Sequence, residues 1–218
     1  MAEISIELIK RLRELTGVGI TDAKQALVDA KGDFDEALEA MRKKGMTKAE
    51  KRGEREARSG VIGSYVHDNR IGVLVEVNCE TDFVARNEKF TDIVKDLCLH
   101  VAASAPEYVS TDDIPAEDRE KMAKEFKEKV VAEGKPADKA EMIVEGMLKK
   151  YFAERCLLDQ PFIKNPDQTV GEFVKEGIAV LGENIVVRRF SRLQLGEVNW
   201  AFCQTFTWNP SKQMGSLL

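Results

Sequence analysis

The chain has 218 residues, of which 43% are hydrophobic and 33% charged, an ordinary composition for a globular protein of one or two domains. Its formal net charge of -5 argues against a general nucleic-acid binder, and no apolar run approaches the roughly 18 residues of a membrane span. Four cysteines without metal-type spacing, and no targeting pattern after Met1, predict free thiols in a reducing cytoplasm.

Residues 1–45 predict a compact three-helix bundle. Apolar residues at helical spacing end at the break 16–19, which only a turn tolerates. Thr21 is predicted to cap the second helix, and Gly32-Asp33 is predicted to end it and start the third. The residues of the second helix expected to face the core are Ala23, Ala26, Leu27 and Ala30.

Residues 46–59 predict a basic linker. The stretch 42–58 holds eight Lys or Arg against three Glu and has almost no large apolar residues. Such a patch could contact a few phosphates, but it has no interleaved aromatic residues to stack on bases. A solvated, partly helical connector is therefore favoured, and no direct nucleic-acid partner is expected.

The segment 60–196 predicts an α+β core. Residues 61–67 and 71–78 alternate between apolar and other residues, which is typical of strands, and Asp68-Asn69-Arg70 is predicted to turn one strand into the other. Residues 184–195 offer a third strand. We therefore predict a three-stranded antiparallel sheet with helices packed on one face.

A change of period follows the second strand. From Phe90 to Val101 apolar residues recur at the 3, 4, 7, 8 spacing of one helix face, and Thr81 or Asp82 could cap that helix. Phe83 lies seven residues before Phe90. It could therefore extend the buried face of the helix or present an aromatic ring to a partner.

Two further segments complete the chain. The segment of about 115–155 is broken by Gly134-Lys135-Pro136. It predicts two antiparallel helices that project from the sheet as an arm. The tail 197–218 carries Trp200, Phe202, Phe206 and Trp208 in strand-like alternation. This tail could pair as an edge strand, or it could be an extension without a role.

Enzyme chemistry is not expected. The chain has only His67 and His100, and a Cys-His pair would need Cys79 or Cys98, both of which fall on core-facing positions where thiols are inert. There is no G-x-x-x-x-G-K-[ST] loop and no cluster of metal ligands. We therefore predict no cofactor and no metal site.

The string Asn-Cys-Glu-Thr-Asp-Phe-Val-Ala at 78–85 resembles the signature of elongation factor Ts, in its short bacterial or plastid-type form. The segments 15–27 and 63–74 also resemble that family, and the likeness covers roughly residues 1–196. The resemblance implies a bundle similar to a ubiquitin-associated (UBA) domain. It also implies a nucleotide exchange factor for the translational GTPase EF-Tu, binding EF-Tu·GDP and promoting GDP release so that GTP can bind.

The resemblance also assigns site residues. Its Thr-Asp-Phe-Val element intrudes beside the Mg²⁺ site of EF-Tu and dislodges the ion, which favours an exposed Phe83. Leu181 is a mild departure, because the family usually has isoleucine there. By position, the implied contacts with EF-Tu are Thr81, Asp82, Phe83, Val84, Lys24, His67, Leu181 and Gly182.

Two alternatives concern partners. An adaptor that binds ubiquitin-like proteins through the N-terminal bundle would leave the core, two thirds of the chain, unexplained. Long members of the family carry two copies of the core layer, whereas this chain has one hairpin and one Thr-Asp-Phe-Val string. A homodimer could restore the missing half.

Overall fold

The computed structural model describes residues 5–16, 18–132 and 137–197, with the side chains of 46–48, 50 and 137–140 left out. The predicted turn at 134–136 and the tail 198–218 lie outside the described residues. Within these ranges the helices are α1 (Ile6–Thr16), α2 (Ile20–Asp29), α3 (Phe34–Arg52), α4 (Asp82–Ala85), α5 (Glu88–Ser104), α6 (Ala116–Ala132), α7 (Ala137–Ala153) and α8 (Val170–Leu181). The strands are β1 (Ser59–His67), β2 (Ile71–Cys79), β3 (Pro161–Phe162), β4 (Asn165–Thr169) and β5 (Ile185–Gln194).

The predicted N-terminal bundle is confirmed in α1, α2 and α3. Leu12 of α1, Leu27 of α2 and Ala37 of α3 are fully buried in one cluster. The prediction that Thr21 caps α2 was wrong, because the cap position is the extended Gly19 and Thr21 lies exposed inside the helix. Asp33 does cap α3, since its Oδ1 accepts hydrogen bonds from the backbone N–H groups of Asp35 and Glu36.

Helix α3 does not end with the bundle. It runs past residue 45, through most of the basic stretch, and packs along α8 of the core. A Cβ added at Gly45 would lie 3.0 Å from the Cβ of Ala179, so the two helices approach closely there. Arg42 pairs with Glu176 at 3.5 Å. The division into a 1–45 bundle, a 46–59 linker and a 60–196 core remains a prediction.

The α+β fold and its three-stranded antiparallel sheet are confirmed. The strand order is β1-β2-β5, and β1 and β2 form a continuous hairpin from Ser59 opposite Cys79 to His67 opposite Ile71. Asp68 and Asn69 both have positive φ (48° and 54°), and the N–H of Arg70 donates to the carbonyl oxygen of His67 at 2.9 Å, as in a type I′ turn. Alternation along β2 therefore predicted both the strand and its buried face, which holds Val73, Val75, Val77 and Cys79.

Helices α5 and α8 cover one face of this sheet. Fully buried Phe90 and Leu97 of α5 lie in the same cluster as β2. At Gly63 an added Cβ would clash with Val94 Cγ1, so glycine lets α5 approach β1. The opposite face of the sheet has no helix among the described residues, and large apolar side chains are exposed there: Ile62, Val66, Leu74 and Leu193.

The predicted helical arm is confirmed as α6 and α7, which pack mainly against each other. At its base Phe152 and Cys156 are buried with Ile114, and Tyr151 packs edge-on against Phe126. Helix α8 and the short β3–β4 hairpin were not predicted. In the described part of the chain, no helix is long and apolar enough to cross a membrane.

A buried histidine joins α5 to the β3–β4 hairpin. His100 is fully buried, and its Nδ1 lies 3.3 Å from the backbone N of Ile163, which can only donate. The imidazole must therefore carry its proton on Nε2, which donates to Oε1 of Gln160 at 2.9 Å. This arrangement requires a neutral ring, and burial lowers the pKa of His100 below its ordinary 6.5.

Acidification between pH 7.5 and pH 5.5 is expected to lower the free energy of unfolding. The unfolded chain takes up a proton at His100 near pH 6.5, whereas the folded chain resists it, so stability is present above that pH and is lost below it. The slope for one proton is at most about 1.4 kcal/mol per pH unit. Urea unfolding at stepped pH measures it. His100→Gln should remove this dependence and His67→Gln should keep it, and an unchanged dependence in His100→Gln would contradict the assignment.

Candidate functional site at the turn after strand β2

The string at 78–85 forms the end of β2 and the one-turn helix α4. Thr81 is the N-cap of α4, and its Oγ1 accepts a hydrogen bond from the N–H of Val84 at 3.4 Å. It was predicted as one of two possible caps of the helix that holds Phe90, and it caps this short helix instead. Ala85 is buried and Val84 packs partly against the core. The side chain of Phe83 is 83% exposed, so the turn is anchored on one side and presents an aromatic ring on the other.

Helix α4 is separate from α5, so the prediction of one continuous helix was wrong. Arg86 ends α4, and Asn87 adopts an extended backbone and caps α5, its Oδ1 accepting from the N–H of Lys89 at 2.9 Å. The break cancels the seven-residue spacing that would place Phe83 and Phe90 on one helix face. Phe90 is therefore buried, while Phe83 faces solvent.

Glu183, which follows α8, holds the start of the turn. Its two carboxylate oxygens accept from the backbone N–H of Thr81 at 3.0 Å and from Thr81 Oγ1 at 2.7 Å. Such bonds to a charged acceptor are stronger than neutral ones. The C-cap of α8 is Gly182 with φ 81°, a left-handed conformation that sends the chain from the helix toward this contact.

A second set of contacts joins three segments beneath the turn. Oε1 of Glu80 accepts from the backbone N–H of Asn184 at 2.7 Å, and Oε2 lies 3.6 Å from Arg55 Nη1. The buried Asn184 amide donates to the carbonyls of Gly53 and Arg55 at 3.2 and 2.6 Å. The end of β2, the start of β5 and the segment after α3 are therefore tied together where the turn begins.

The carboxylate of Asp82, next to Phe83 in α4, is exposed. Asp82 occupies the first position of α4, and its Oδ2 lies 3.3 Å from Nη2 of Arg86, one helical turn later. Both side chains are mostly exposed, so this ion pair contributes little to stability. The Asp82 carboxylate is therefore available beside Phe83 to a partner that approaches the turn.

The other predicted contact residues are spread over the molecule. Leu181 is half-buried against the core, and it and Gly182 lie beside the turn through their neighbour Glu183. His67 is exposed at the far end of the β1–β2 hairpin, where Tyr65 Oη lies 3.0 Å from its Nδ1. Nine residues of β2 separate that end from the turn, about 30 Å of strand. Lys24 is exposed on α2 of the bundle.

The described thiols are all hidden from solvent. Cys79, Cys98 and Cys156 are free and fully buried. Burial raises the pKa of Cys98 to about 11 and that of Cys156 to about 11, and it also raises the pKa of Cys79. Thiols in this state are not nucleophiles near neutral pH. The exposed turn, and not a thiol, is therefore the candidate site.

Comparison with known proteins places this turn in a family. The family model described as Elongation factor TS matches residues 9–197, which is most of the chain. The chain belongs to the elongation factor Ts family. The elongation factor Ts of Acetivibrio thermocellus is 49% identical over 195 residues, covering 89% of this chain and 91% of that protein. That of Thermodesulfovibrio yellowstonii is 48% identical over 194 residues, covering 89% and 97%.

Membership of the elongation factor Ts family gives the chain a role in translation elongation. The match also covers the bundle from Ile9, the sheet, the arm and the turn that carries Phe83. It stops at Glu197, three residues after β5 ends. The tail 198–218 is therefore additional to the part of the chain that the family shares.

Glu183 was missed from the sequence, and its part in holding the turn can be tested. Glu183→Ala removes both acceptors from Thr81, so the amides of Thr81 and Val84 should exchange with solvent faster, with a loss of about 1 to 3 kcal/mol of stability. Glu183→Gln keeps one acceptor oxygen, so its amide exchange rates and stability should lie between those of the parent protein and the alanine variant. Hydrogen exchange followed by NMR measures this, and unchanged protection in the alanine variant would show that Thr81 caps the turn unaided.

Proposed function

We propose that this chain is a guanine nucleotide exchange factor for EF-Tu that binds EF-Tu·GDP and promotes GDP release so that GTP can bind. The observation that carries the proposal is the exposed ring of Phe83 on a turn fixed by Thr81 and Glu183. A large aromatic side chain that is already ordered loses little conformational entropy on binding. Such residues typically dominate the binding energy of an interface.

The proposed mechanism acts on Mg²⁺. In P-loop GTPases this ion bridges the protein and the nucleotide phosphates, and it demands near-ideal octahedral geometry. Phe83 would displace the residues around the ion, and the Asp82 carboxylate beside it would disturb the same electrostatic environment. Thr81 and Val84 hold this pair in place through the cap and the core contact. When EF-Tu binds Mg²⁺ less tightly, it also binds GDP less tightly, because the ion bridges the protein and the nucleotide phosphates.

Thermodynamic linkage limits what the factor can do. If the factor lowers the affinity of EF-Tu for GDP, GDP lowers the affinity of EF-Tu for the factor by the same ratio. An exchange role needs a coupling free energy of at least about 1 to 3 kcal/mol. The factor should therefore bind nucleotide-free EF-Tu more tightly than EF-Tu·GDP, and GTP binding should release it.

The remaining predicted contact residues would give this chain an extended interface with EF-Tu. Lys24 on the bundle and His67 at the far end of the hairpin are both exposed and could each reach a separate part of a large partner. Leu181 and Gly182 are half-buried beside Glu183, so we propose that they shape the turn as well as contacting EF-Tu. The chain itself would carry out no covalent chemistry, and it would act in the cytoplasm, where translation takes place.

We also propose that the chain can form a homodimer through the exposed outer face of its three-stranded sheet. The described residues contain one three-stranded layer, and its outer face exposes Ile62, Val66 and Leu74. A second copy could place the same face against it, because a two-fold interface uses the same surface twice. Sedimentation across a range of protein concentrations measures this association.

Release of fluorescent GDP from EF-Tu tests the exchange activity. EF-Tu loaded with the labelled nucleotide is mixed with excess unlabelled GDP, with and without this protein, at several Mg²⁺ concentrations. The protein should speed release, and high Mg²⁺ should suppress the acceleration if the ion is the target. An acceleration independent of Mg²⁺ would contradict the mechanism, and no acceleration at any Mg²⁺ concentration would contradict the function.

A further inference from the structure

Helix α3 belongs both to the N-terminal bundle and to the core. Its first part packs in the bundle through Ala37 and Met41, and its second part packs along α8. Ala49, in that second part, is fully buried in the same cluster as β2 and α5. A single helix of 19 residues therefore carries the position of the bundle to the point where α3 ends.

The end of α3 is fixed against the end of α8. Arg52, the last residue of α3, donates from Nη1 to the carbonyl oxygen of Ile178 at 3.3 Å. A cation near the C-terminal end of a helix is favourable because of the helix dipole. The same carbonyl accepts the N–H of Gly182, the residue that caps α8. Arg52 therefore lies where the chain leaves α8 toward Glu183.

The side chain of Asn184 connects the segment after α3 to the start of β5. Asn184 is 2% exposed, and its amide nitrogen donates to the backbone carbonyl oxygens of Gly53 at 3.2 Å and Arg55 at 2.6 Å. An asparagine amide has two N–H groups, so these contacts use both of them. An ionised aspartate has almost the same shape but offers only acceptors. This position therefore requires the amide.

The backbone of Asn184 faces the exposed turn. Its N–H donates to Oε1 of Glu80 at 2.7 Å, and Glu80 directly precedes Thr81. Asn184 also directly follows Glu183, whose carboxylate accepts two hydrogen bonds from Thr81. Consecutive Cα atoms are held about 3.8 Å apart, so a displacement of Asn184 displaces Glu183 with it. The contacts of Asn184 with the segment after α3 therefore act on the residue that caps the turn.

We propose that Asn184 is a positioning residue for nucleotide exchange, because it sets the turn 81–85 relative to the end of α3. The inference rests on the proposed function, since only a partner that contacts the turn responds to its position. The side chain of Asn184 is buried and acts through Glu183 and Glu80. Through α3 the same contacts fix the turn relative to the bundle, and two surfaces of one partner then meet a pre-ordered pair of surfaces. Such pre-ordering reduces the entropy lost on binding.

A positioning role and a purely structural role have different kinetic consequences. Loss of a contact that only stabilises the fold lowers the fraction of folded factor, so more factor is needed but the rate within the complex is unchanged. A displaced turn lowers the rate of GDP release within the saturated complex, because such effects depend steeply on position. The contacts made by the bundle and the hairpin remain, so the half-saturating concentration hardly changes.

Hydrogen exchange of the free protein, followed by NMR, tests the contact without EF-Tu. Asn184→Asp keeps the size of the side chain and replaces both donors by an acceptor, which then faces two carbonyl oxygens. The amides of Thr81 and Val84 should exchange about tenfold faster or more, beyond any fall in the protection of the slowest core amides. Equal losses of protection at the turn and in the core would overturn the proposal.

Val101→Ala is the matched control for stability. Val101 is fully buried in the main cluster near the end of α5, and its truncation leaves a cavity without removing a side-chain hydrogen bond. The amides of Thr81 and Val84 should lose protection in this variant only as far as the whole core does. A selective loss at the turn in Val101→Ala would show that any core damage loosens the turn, and it would also overturn the proposal.

GDP release from EF-Tu at rising concentrations of the factor tests the positioning role. At saturation Asn184→Asp should be slower than the parent by about tenfold or more, with a half-saturating concentration within about twofold. Asn184→Ser keeps one hydroxyl donor, so it should lose less and gives the same comparison if the aspartate variant does not fold. An unchanged saturating rate would overturn the proposal. No acceleration by the parent would instead refute the proposed function, and hydrogen exchange of the free protein would still show whether Asn184 holds the turn.

Discussion

Phe83→Ala is expected to slow catalysed release of GDP from EF-Tu by about 30-fold or more, which corresponds to the roughly 2 kcal/mol that a central aromatic hot spot contributes. Folding stability should stay within about 0.5 kcal/mol of the parent protein, as is usual for surface substitutions. The reason is the 83% exposure of the ring, which has few contacts to lose in the free protein. Fluorescent GDP release and urea unfolding measure the two effects.

Asp82→Ala is the control for the charge beside the ring. Its carboxylate makes only an exposed ion pair with Arg86, so its loss should hardly change stability. It should slow GDP release less than the loss of Phe83 does, and most clearly at low Mg²⁺. A Phe83→Ala protein that is stable and fully active would refute the wedge mechanism, whatever Asp82 contributes.

The sheet and the bundle could be predicted because their signals are local. Alternation along 71–78 reports directly which side chains face the core, and Asp68-Asn69 is a turn sequence whose two residues tolerate positive φ. Helical periodicity identified α1, α2 and the arm in the same way. These patterns arise from the geometry of single helices and strands, so they can be recognised in the amino-acid sequence of this chain alone.

The position of Phe83 shows where that reasoning failed. Spacing alone related Phe83 to Phe90, but spacing assumes an unbroken helix. Asn87 is a favoured cap residue, and its side chain bonds to Lys89 N–H, so a local signal for the break was present in the sequence. Family resemblance favoured the exposed ring before the structure explained it.

Helix α8 was also missed although a local signal marked its start. Thr169 and Glu172 form a capping box, in which each side chain accepts from the other residue's backbone N–H. The anchoring of the turn by Glu183 had no such signal. Its partner Thr81 lies 102 positions earlier, and only the folded sheet brings the two together. The mistaken cap at Thr21 has a simpler cause, because Gly19 took the extended conformation two residues earlier.

Phe90→Ala is expected to cost about 3 to 5 kcal/mol of folding stability, the usual range for removing a fully buried phenylalanine ring. Phe90 has no exposed surface and lies between α5 and β2 in the main cluster. Because a domain of this kind is stable by only about 5 to 15 kcal/mol, much of the total would be lost. Urea unfolding measures the change, and Phe90→Leu, which keeps more of the volume, should lose less.

Phe90→Ala and Phe83→Ala delete the same atoms seven residues apart, so comparing them separates the surface role from the core role. The exchange rate per folded molecule should stay near the parent value in Phe90→Ala at low temperature, because the α4 turn depends on Thr81, Glu183 and Ala85 rather than on this ring. In Phe83→Ala the rate should fall while stability is kept. If Phe90→Ala kept its stability and lost exchange, the break between α4 and α5 would not divide the two phenylalanines as the structure places them.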